Sequence, residues 1–204
     1  MLTLVSESPR RRELLESAGI AFRVIAPEGK EPDLAAQAAG PGVRIRSADL
    51  VRRAALAKAK SASGRAGGLL LGADTIVVCD GQVLGKPTGP ADARRSLRRL
   101  SGRWHSVYTG LALLSEGRYM LGYERTKVCF RALSKNEIDW YVGTGEPMDK
   151  AGAYAIQGRG AAFVRAIRGC YTNVIGLPLP KLMAMLAEFK RGARTCRGAR
   201  RGAC

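Results

Sequence analysis

Asp74 and Lys86 stand near the two ends of the stretch Gly72-Ala73-Asp74-Thr75-Ile76-Val77-Val78-Cys79-Asp80-Gly81-Gln82-Val83-Leu84-Gly85-Lys86-Pro87. Asp80-Gly81 is a strong hairpin signal, so the chain is expected to turn there and return. That turn brings Asp74 and Lys86 toward one end of a sheet, a carboxylate beside an ammonium. Gly72 and Gly85 leave room for a ligand to approach the backbone. A surface hairpin with an incidental ion pair is the bland alternative, because exposed pairs are common and weak.

A second group of charges lies at Ser8-Pro9-Arg10-Arg11-Arg12. Ser8 suits an N-cap and Pro9 the first helical position. A strand leading into a helix N-terminus crowded with arginines is a phosphate-binding arrangement, since exposed N–H groups and the helix dipole favour an anion. Arg10 and Arg11 add fork-shaped donors. Without an anion, arginines in the first turn oppose the dipole and cost stability. Lys58 and Lys60 fall near the end of another helix, where cations suit the dipole, and either can equally reach into a cleft.

The remaining chemistry is narrowed by elimination. His105 is the only histidine, whereas serine hydrolases and zinc proteases need imidazoles. It sits in the strand-like Arg103-Trp104-His105-Ser106-Val107-Tyr108 and is expected to be structural. The five cysteines form no C-x-x-C pair. Cys79 and Cys129 lie in apolar runs, where a small buried hydrophobe fits, and the odd count points to a reducing cytoplasm. Carboxylate and metal chemistry is the economical option.

The elements that must position these groups follow the hydrophobic pattern. Strands are expected at 2–6 and 20–26, with a helix at 10–18 between them that stops at Gly19. A Pro- and Gly-rich loop, 27–42, carries Glu28, Glu31 and Asp33. Ser47 caps a helix over 48–62. Leu69-Leu70-Leu71 enters the central hairpin as a buried strand, and 90–100 reads as an amphipathic helix. Strand-like runs follow at 104–114 and 119–130, and Ser134-x-x-Glu137 is a capping box for a short helix. The polar, glycine-rich segment Glu146-Pro147-Met148-Asp149-Lys150-Ala151-Gly152-Ala153-Tyr154-Ala155-Ile156-Gln157-Gly158 reads as a binding loop. Residues 161–167 and 171–175 are expected to form a hairpin, and a last helix spans 180–189. Alternating strands and helices with several hairpins give an α/β class with a mixed sheet.

At 204 residues the chain carries a net charge of +17. Residues 190–204 hold six cations and no acid, which leaves +11 on the body. The segment has no large apolar side chain and is expected to be a disordered tail behind one domain at 1–189. Such charge calls for an anionic partner, nucleotide or nucleic acid. Aromatics do not interleave with the basic residues along the sequence, so nucleic acid is expected to bind at most non-specifically, through the tail. No apolar run reaches the length of a membrane span, and the N-terminus is too short and lacks the basic region of a signal peptide.

Four segments together resemble the Maf family, the septum formation proteins that act as nucleoside triphosphate pyrophosphatases. They are Ser6-x-Ser8-Pro9-Arg10-Arg11-x-Glu13-Leu14-Leu15; Gly72-Ala73-Asp74-Thr75 with Gly85-Lys86-Pro87; Leu100-Ser101-Gly102 with His105 and Thr109; and Glu146-Pro147-x-Asp149-Lys150-Ala151-Gly152-Ala153-Tyr154-x-Ile156-Gln157-Gly158. Gly176-Leu177-Pro178-Leu179 follows in the expected place. The resemblance covers residues 2–186. It implies an elongated, twisted mixed sheet flanked by helices, with two lobes around a cleft, similar to inosine triphosphatases. It implies metal-dependent cleavage of dTTP or UTP to monophosphate and pyrophosphate, using Mg²⁺, Mn²⁺ or Co²⁺, by a cytoplasmic enzyme that is commonly a homodimer.

On the same footing Asp74 matches the proposed general base and is also a candidate metal ligand. Arg10, Thr75 and Gln157 match the positions that mark the dTTP/UTP branch, and Ser8, Arg11, Lys58 and Lys86 match polar cleft residues. Thr75 and Gln157 can hydrogen-bond a pyrimidine edge. Where the family usually has a glutamate, this chain has Lys30 flanked by Glu28 and Glu31, and a one-residue slip lets Glu31 serve as a metal ligand. Glu7, too, replaces a small or amide residue before Ser8. The rival readings are a 7-methyl-GTP pyrophosphatase, disfavoured by Thr75 and Gln157, and a nucleic-acid-binding regulator of septum formation.

Overall fold

A computed structural model describes residues 1–29, 34 and 46–198. The expected Glu31 ligand and most of the loop at 27–42 lie outside these residues. Seven strands form one mixed sheet: β1 (Leu2–Val5), β2 (Phe22–Ile25), β3 (Leu69–Cys79), β4 (Gln82–Leu84), β5 (Trp104–Ser115), β6 (Arg118–Phe130) and β7 (Val164–Arg168). The strand order is β2-β1-β3-β5-β6-β7, with β4 also on β3. β1 runs parallel to β2 and β3, and every other pairing is antiparallel.

β3 alternates strictly, and this assigns the two faces. Leu71, Ala73, Val77 and Cys79 enter the main core, while Leu70 and Ile76 point the other way. Onto the first face pack α1 (Pro9–Ser17), α3 (Pro90–Leu100), α4 (Lys135–Gly143), α5 (Tyr171–Ile175) and α6 (Leu179–Gly198). Each contributes an apolar stripe; Ala93, Leu97 and Leu100 of α3 recur at helical spacing and are all buried. The second face carries α2 (Ser47–Ser61), whose Ala55 and Ala59 pack against Leu70 and Ala112.

Local signals explain most boundaries. Asp80 and Gly81 both take positive φ, 48° and 76°, as a two-residue type I′ hairpin requires. In the capping box, Ser134 Oγ accepts from Glu137 N at 3.2 Å and Ser134 N donates to Glu137 Oε2 at 2.8 Å. Ser8 occupies the N-cap of α1, but its side chain makes no capping bond.

Two expectations are corrected. Tyr171–Ile175 is a helix and not the second strand of a hairpin. The buried Asn173 Nδ2 reaches Val107 O at 3.1 Å and Thr126 Oγ1 at 3.0 Å, and Gly176 closes the turn at φ 124°. A buried amide that must find partners overrides the strand preference of Thr172, Val174 and Ile175. The last helix does not stop at Phe189 but continues to Gly198. Lys190 and Arg191, the first residues past Phe189, are good helix formers and carry the helix on.

Candidate active site

The site lies where the edge of β3 changes partners. β1 pairs with β3 up to Val5↔Gly72, and β4 begins at Val77↔Leu84. Between them Ala73, Asp74, Thr75 and Ile76 have no strand partner on that edge among the described residues, while the other edge stays paired with β5. The gap faces the carboxyl end of β1 and the start of α1, the place where α/β sheets bind ligands. A cleft of about 430 Å³ opens there.

Ser8, Arg10, Arg11, Lys58, Asp74, Thr75, Lys86 and Gln157 all line it. Asp74 and Thr75 point to opposite faces of β3, yet both border the gap. Asp74 is 7% exposed, and its Oδ1 accepts a hydrogen bond from Lys58 Nζ on α2. The partner is therefore Lys58, not Lys86 as the hairpin suggested; Lys86 is exposed at the rim. The reason is helix docking: a Cβ on Gly72 would meet Ala55 O at 2.0 Å, and one on Gly110 would meet Val51 O at 2.1 Å. Gly72 thus admits the backbone of α2, not a ligand, and this contact sets Lys58 above Asp74.

Arg11 is buried and braces three segments. Nε donates to Gly176 O at 2.9 Å, Nη1 to Ser6 Oγ at 3.2 Å and Nη2 to Thr75 Oγ1 at 3.1 Å. Thr75 Oγ1 lies 3.0 Å from Thr109 Oγ1, which donates to Asn173 O at 3.2 Å. The Thr75 proton is accordingly directed to Thr109, and its oxygen accepts from Arg11. Toward a ligand Thr75 acts through its remaining lone pair.

The opposite wall is the polar loop after α4. Glu146 organises it: Oε1 accepts from Tyr141 Oη at 2.8 Å and Gly160 N at 3.2 Å, and Oε2 from Arg159 N at 3.1 Å. Tyr141 Oη also accepts from Ala155 N at 3.1 Å. Gly152 N donates to Gly85 O at 3.0 Å and ties the loop to the end of β4. Gln157 sits exposed on this wall, and its side chain makes no hydrogen bond among the described residues.

Asp149 was not singled out from the sequence as a site residue. It bridges the cleft mouth, accepting from Arg10 Nη1 at 3.2 Å and Lys150 Nζ at 2.5 Å. Burial raises its carboxyl, but Lys150 and Arg10 outweigh this and hold it below the usual carboxylate range. Its place in the Glu146-x-x-Asp149-Lys150 run was the available signal. His105 lies behind the wall, with Nε2 2.9 Å from Tyr154 Oη and Nδ1 unpartnered. Burial lowers its pKa to about 4, so it is a neutral core residue.

Among the described residues no three His, Cys, Asp or Glu side chains gather as a metal cage. The cleft does offer hard oxygen donors, with Asp74 Oδ2 engaged by no described residue. That suits a divalent ion held by one or two carboxylates and by phosphate oxygens of a ligand.

Comparison with known proteins gives the family. A family model described as Maf-like protein matches residues 1–189. Among curated relatives, a dTTP/UTP pyrophosphatase of Symbiobacterium thermophilum is 52% identical over 92% of this chain and 93% of its own. One of Gloeobacter violaceus is 50% identical over 93% and 96%, and one of Bacillus cytotoxicus 46% identical over 93% and 96%. The structure of a HAM1 protein from Coxiella burnetii aligns with TM-score 0.51 and 15% identity over 92% of this chain and 98% of that one, a likeness of fold alone.

Proposed function

The chain belongs to the Maf family, and we propose that it is a nucleoside triphosphate pyrophosphatase that cleaves dTTP and UTP to the monophosphate and pyrophosphate. The observation that carries this is the cleft itself, which Asp74, on a strand edge without a partner among the described residues, lines together with the cations Arg10, Lys58 and Lys86 from three other segments.

Asp74 takes the proton of a water that attacks the α-phosphorus; the bond to the bridging oxygen of the β-phosphate breaks, and pyrophosphate leaves. Lys58 orients the carboxylate through Oδ1, which directs Oδ2 toward the water. Lys86 and Arg10 offset the charge of the leaving phosphates. Arg11 acts mainly by holding Ser6, Thr75 and Gly176 in register. Gln157 and the Thr75 lone pair read the pyrimidine edge, the kind of polar contact that discriminates strongly between bases. A Mg²⁺, Mn²⁺ or Co²⁺ ion would be held by Asp74 and the phosphates, with Glu31 as a further candidate, and would neutralise phosphate charge.

The homodimer and the cytoplasm belong to the same reading. Free thiols at Cys79, Cys129 and Cys170 support a reducing compartment. Among the described residues no helix is long and apolar enough to cross a membrane. The test is pyrophosphate release from a panel of nucleoside triphosphates with each metal. The fastest turnover is expected for dTTP and UTP; 7-methyl-GTP as the best substrate, or orthophosphate as the product, would overturn the proposal.

A further inference from the structure

Five helices pack on one face of the sheet, but among the described residues only α2 lies along the other, over Gly72 and Gly110. Beyond α2 this face carries Trp104, Ser106 and Tyr108 of β5, Tyr123, Arg125 and Lys127 of β6, and Arg168 of β7. The register sets them side by side, with Tyr108↔Arg125, Ser106↔Lys127 and Lys127↔Arg168 as direct neighbours. Aromatic and basic residues that are scattered along the chain therefore interleave across strands.

Their packing is specific. The Arg168 guanidinium lies 4.8 Å from the centroid of Trp104, Arg125 lies 5.5 Å from Tyr108, and Arg52 lies 4.9 Å from Tyr123. Tyr108 and Tyr123 stack at 6.5 Å with an interplanar angle of 23°. Trp104 and Tyr123 are 37% and 39% exposed. No carboxylate of the described residues forms an ion pair with Arg125, Lys127 or Arg168. Trp104 and Tyr108 stand about 13 Å apart along β5, with Ser106 and Lys127 between them.

We propose that this sheet face docks single-stranded nucleic acid. Bases stack on Trp104 and on the Tyr108–Tyr123 pair, and phosphates run against Arg125, Lys127 and Arg168. Aromatic platforms set in a basic groove bind single strands in this way, each stacked base contributing about 1–3 kcal/mol. A duplex keeps its bases paired inside and cannot use the rings. A second copy docked face to face would bring these unpaired cations against their own equivalents, so charge favours a polyanion.

The test uses the full chain with Trp140→Phe, which leaves Trp104 as the sole tryptophan. A 12-nucleotide oligo(dT) is titrated at 50 and 200 mM KCl while tryptophan emission and the anisotropy of labelled oligonucleotide are followed. Binding should quench Trp104. Lys127→Glu with Arg168→Glu should weaken it more than tenfold and reduce the salt slope by about 1.4, at about 0.7 per phosphate contact. Hydrolysis of dTTP should not change. The proposal fails if nothing binds, if binding leaves Trp104 emission unchanged, if a 12-base-pair duplex binds equally well, or if the double variant acts by dissociating a dimer in sedimentation.

Discussion

Lys58 on α2 and Asp74 on β3 form an ion pair at a stretch where, among the described residues, the edge of β3 lacks a strand partner, and both side chains are at most a tenth exposed. Removing the Lys58 ammonium leaves the Asp74 carboxylate in a poorly solvated place without its partner among the described residues. Lys58→Met should cost about 3 kcal/mol of stability. The double variant Lys58→Met, Asp74→Asn should cost clearly less than the sum of the two single changes. Urea unfolding of all four proteins measures the coupling, and strict additivity would mean that the pair does not act as a unit.

Gly72 positions that pair by letting α2 come close. In Gly72→Ala the new Cβ would meet Ala55 O and Ala59 N, at 2.0 and 2.9 Å, both of them backbone atoms that cannot rotate aside. Stability should fall by about 3 kcal/mol, at the upper end for an overpacked site. Hydrolysis should fall as well, below the melting transition, because α2 carries Lys58. Calorimetry with assays at 20 °C checks both, and unchanged turnover in a destabilised protein would separate α2 docking from the chemistry.

Glu146 holds the loop that presents Gln157 without itself lining the cleft. Glu146→Ala should raise KM for dTTP about tenfold while changing kcat less, since the hydrogen bonds lost are to a charged group and contribute about 1.5–3 kcal/mol. Steady-state kinetics decides this. A fall in kcat at constant KM would assign Glu146 a direct part in the chemical step.

His105 makes stability depend on pH. Burial lowers its pKa to about 4 from 6.5, so between these values the unfolded chain binds a proton that the folded chain does not. Its contribution is complete above about pH 6.5 and is lost as the pH falls toward 4, by about 3 kcal/mol at about 1.4 kcal/mol per unit. Carboxylates titrate nearby, so the observable is the difference in slope between wild type and His105→Gln in urea unfolding at pH 7 and pH 4.5. Equal slopes would show that His105 titrates normally in the fold.

Much of this was legible in the residues because local chemistry decides it. Asp80-Gly81 turns the central hairpin because the pair accepts positive φ, Ser134 and Glu137 cap α4, and the spacing of Ala93, Leu97 and Leu100 makes α3. The motif positions Ser8, Arg10, Lys58, Asp74, Lys86 and Gln157 do converge on one cleft. Long-range packing was not legible. That Lys58 and not Lys86 meets Asp74 depends on two glycines on adjacent strands admitting one helix. That Arg11 binds Gly176 O depends on a turn 165 residues away. Tyr171–Ile175 reads as a strand until the partners of the buried Asn173 are known, and the nucleic-acid platform exists only in the register of β5, β6 and β7.

The most direct measurement is the rate of pyrophosphate release from dTTP by Asp74→Asn. Asparagine keeps an oxygen that accepts from Lys58, so the fold should persist, with a melting temperature within a few degrees of wild type. It can neither take the water's proton nor hold a divalent ion strongly, so the rate should fall at least about 100-fold, the lower bound usual for loss of a general base. A folded variant that retains more than about a tenth of the wild-type rate would contradict the role assigned to Asp74, and with it the mechanism built on the open edge of β3.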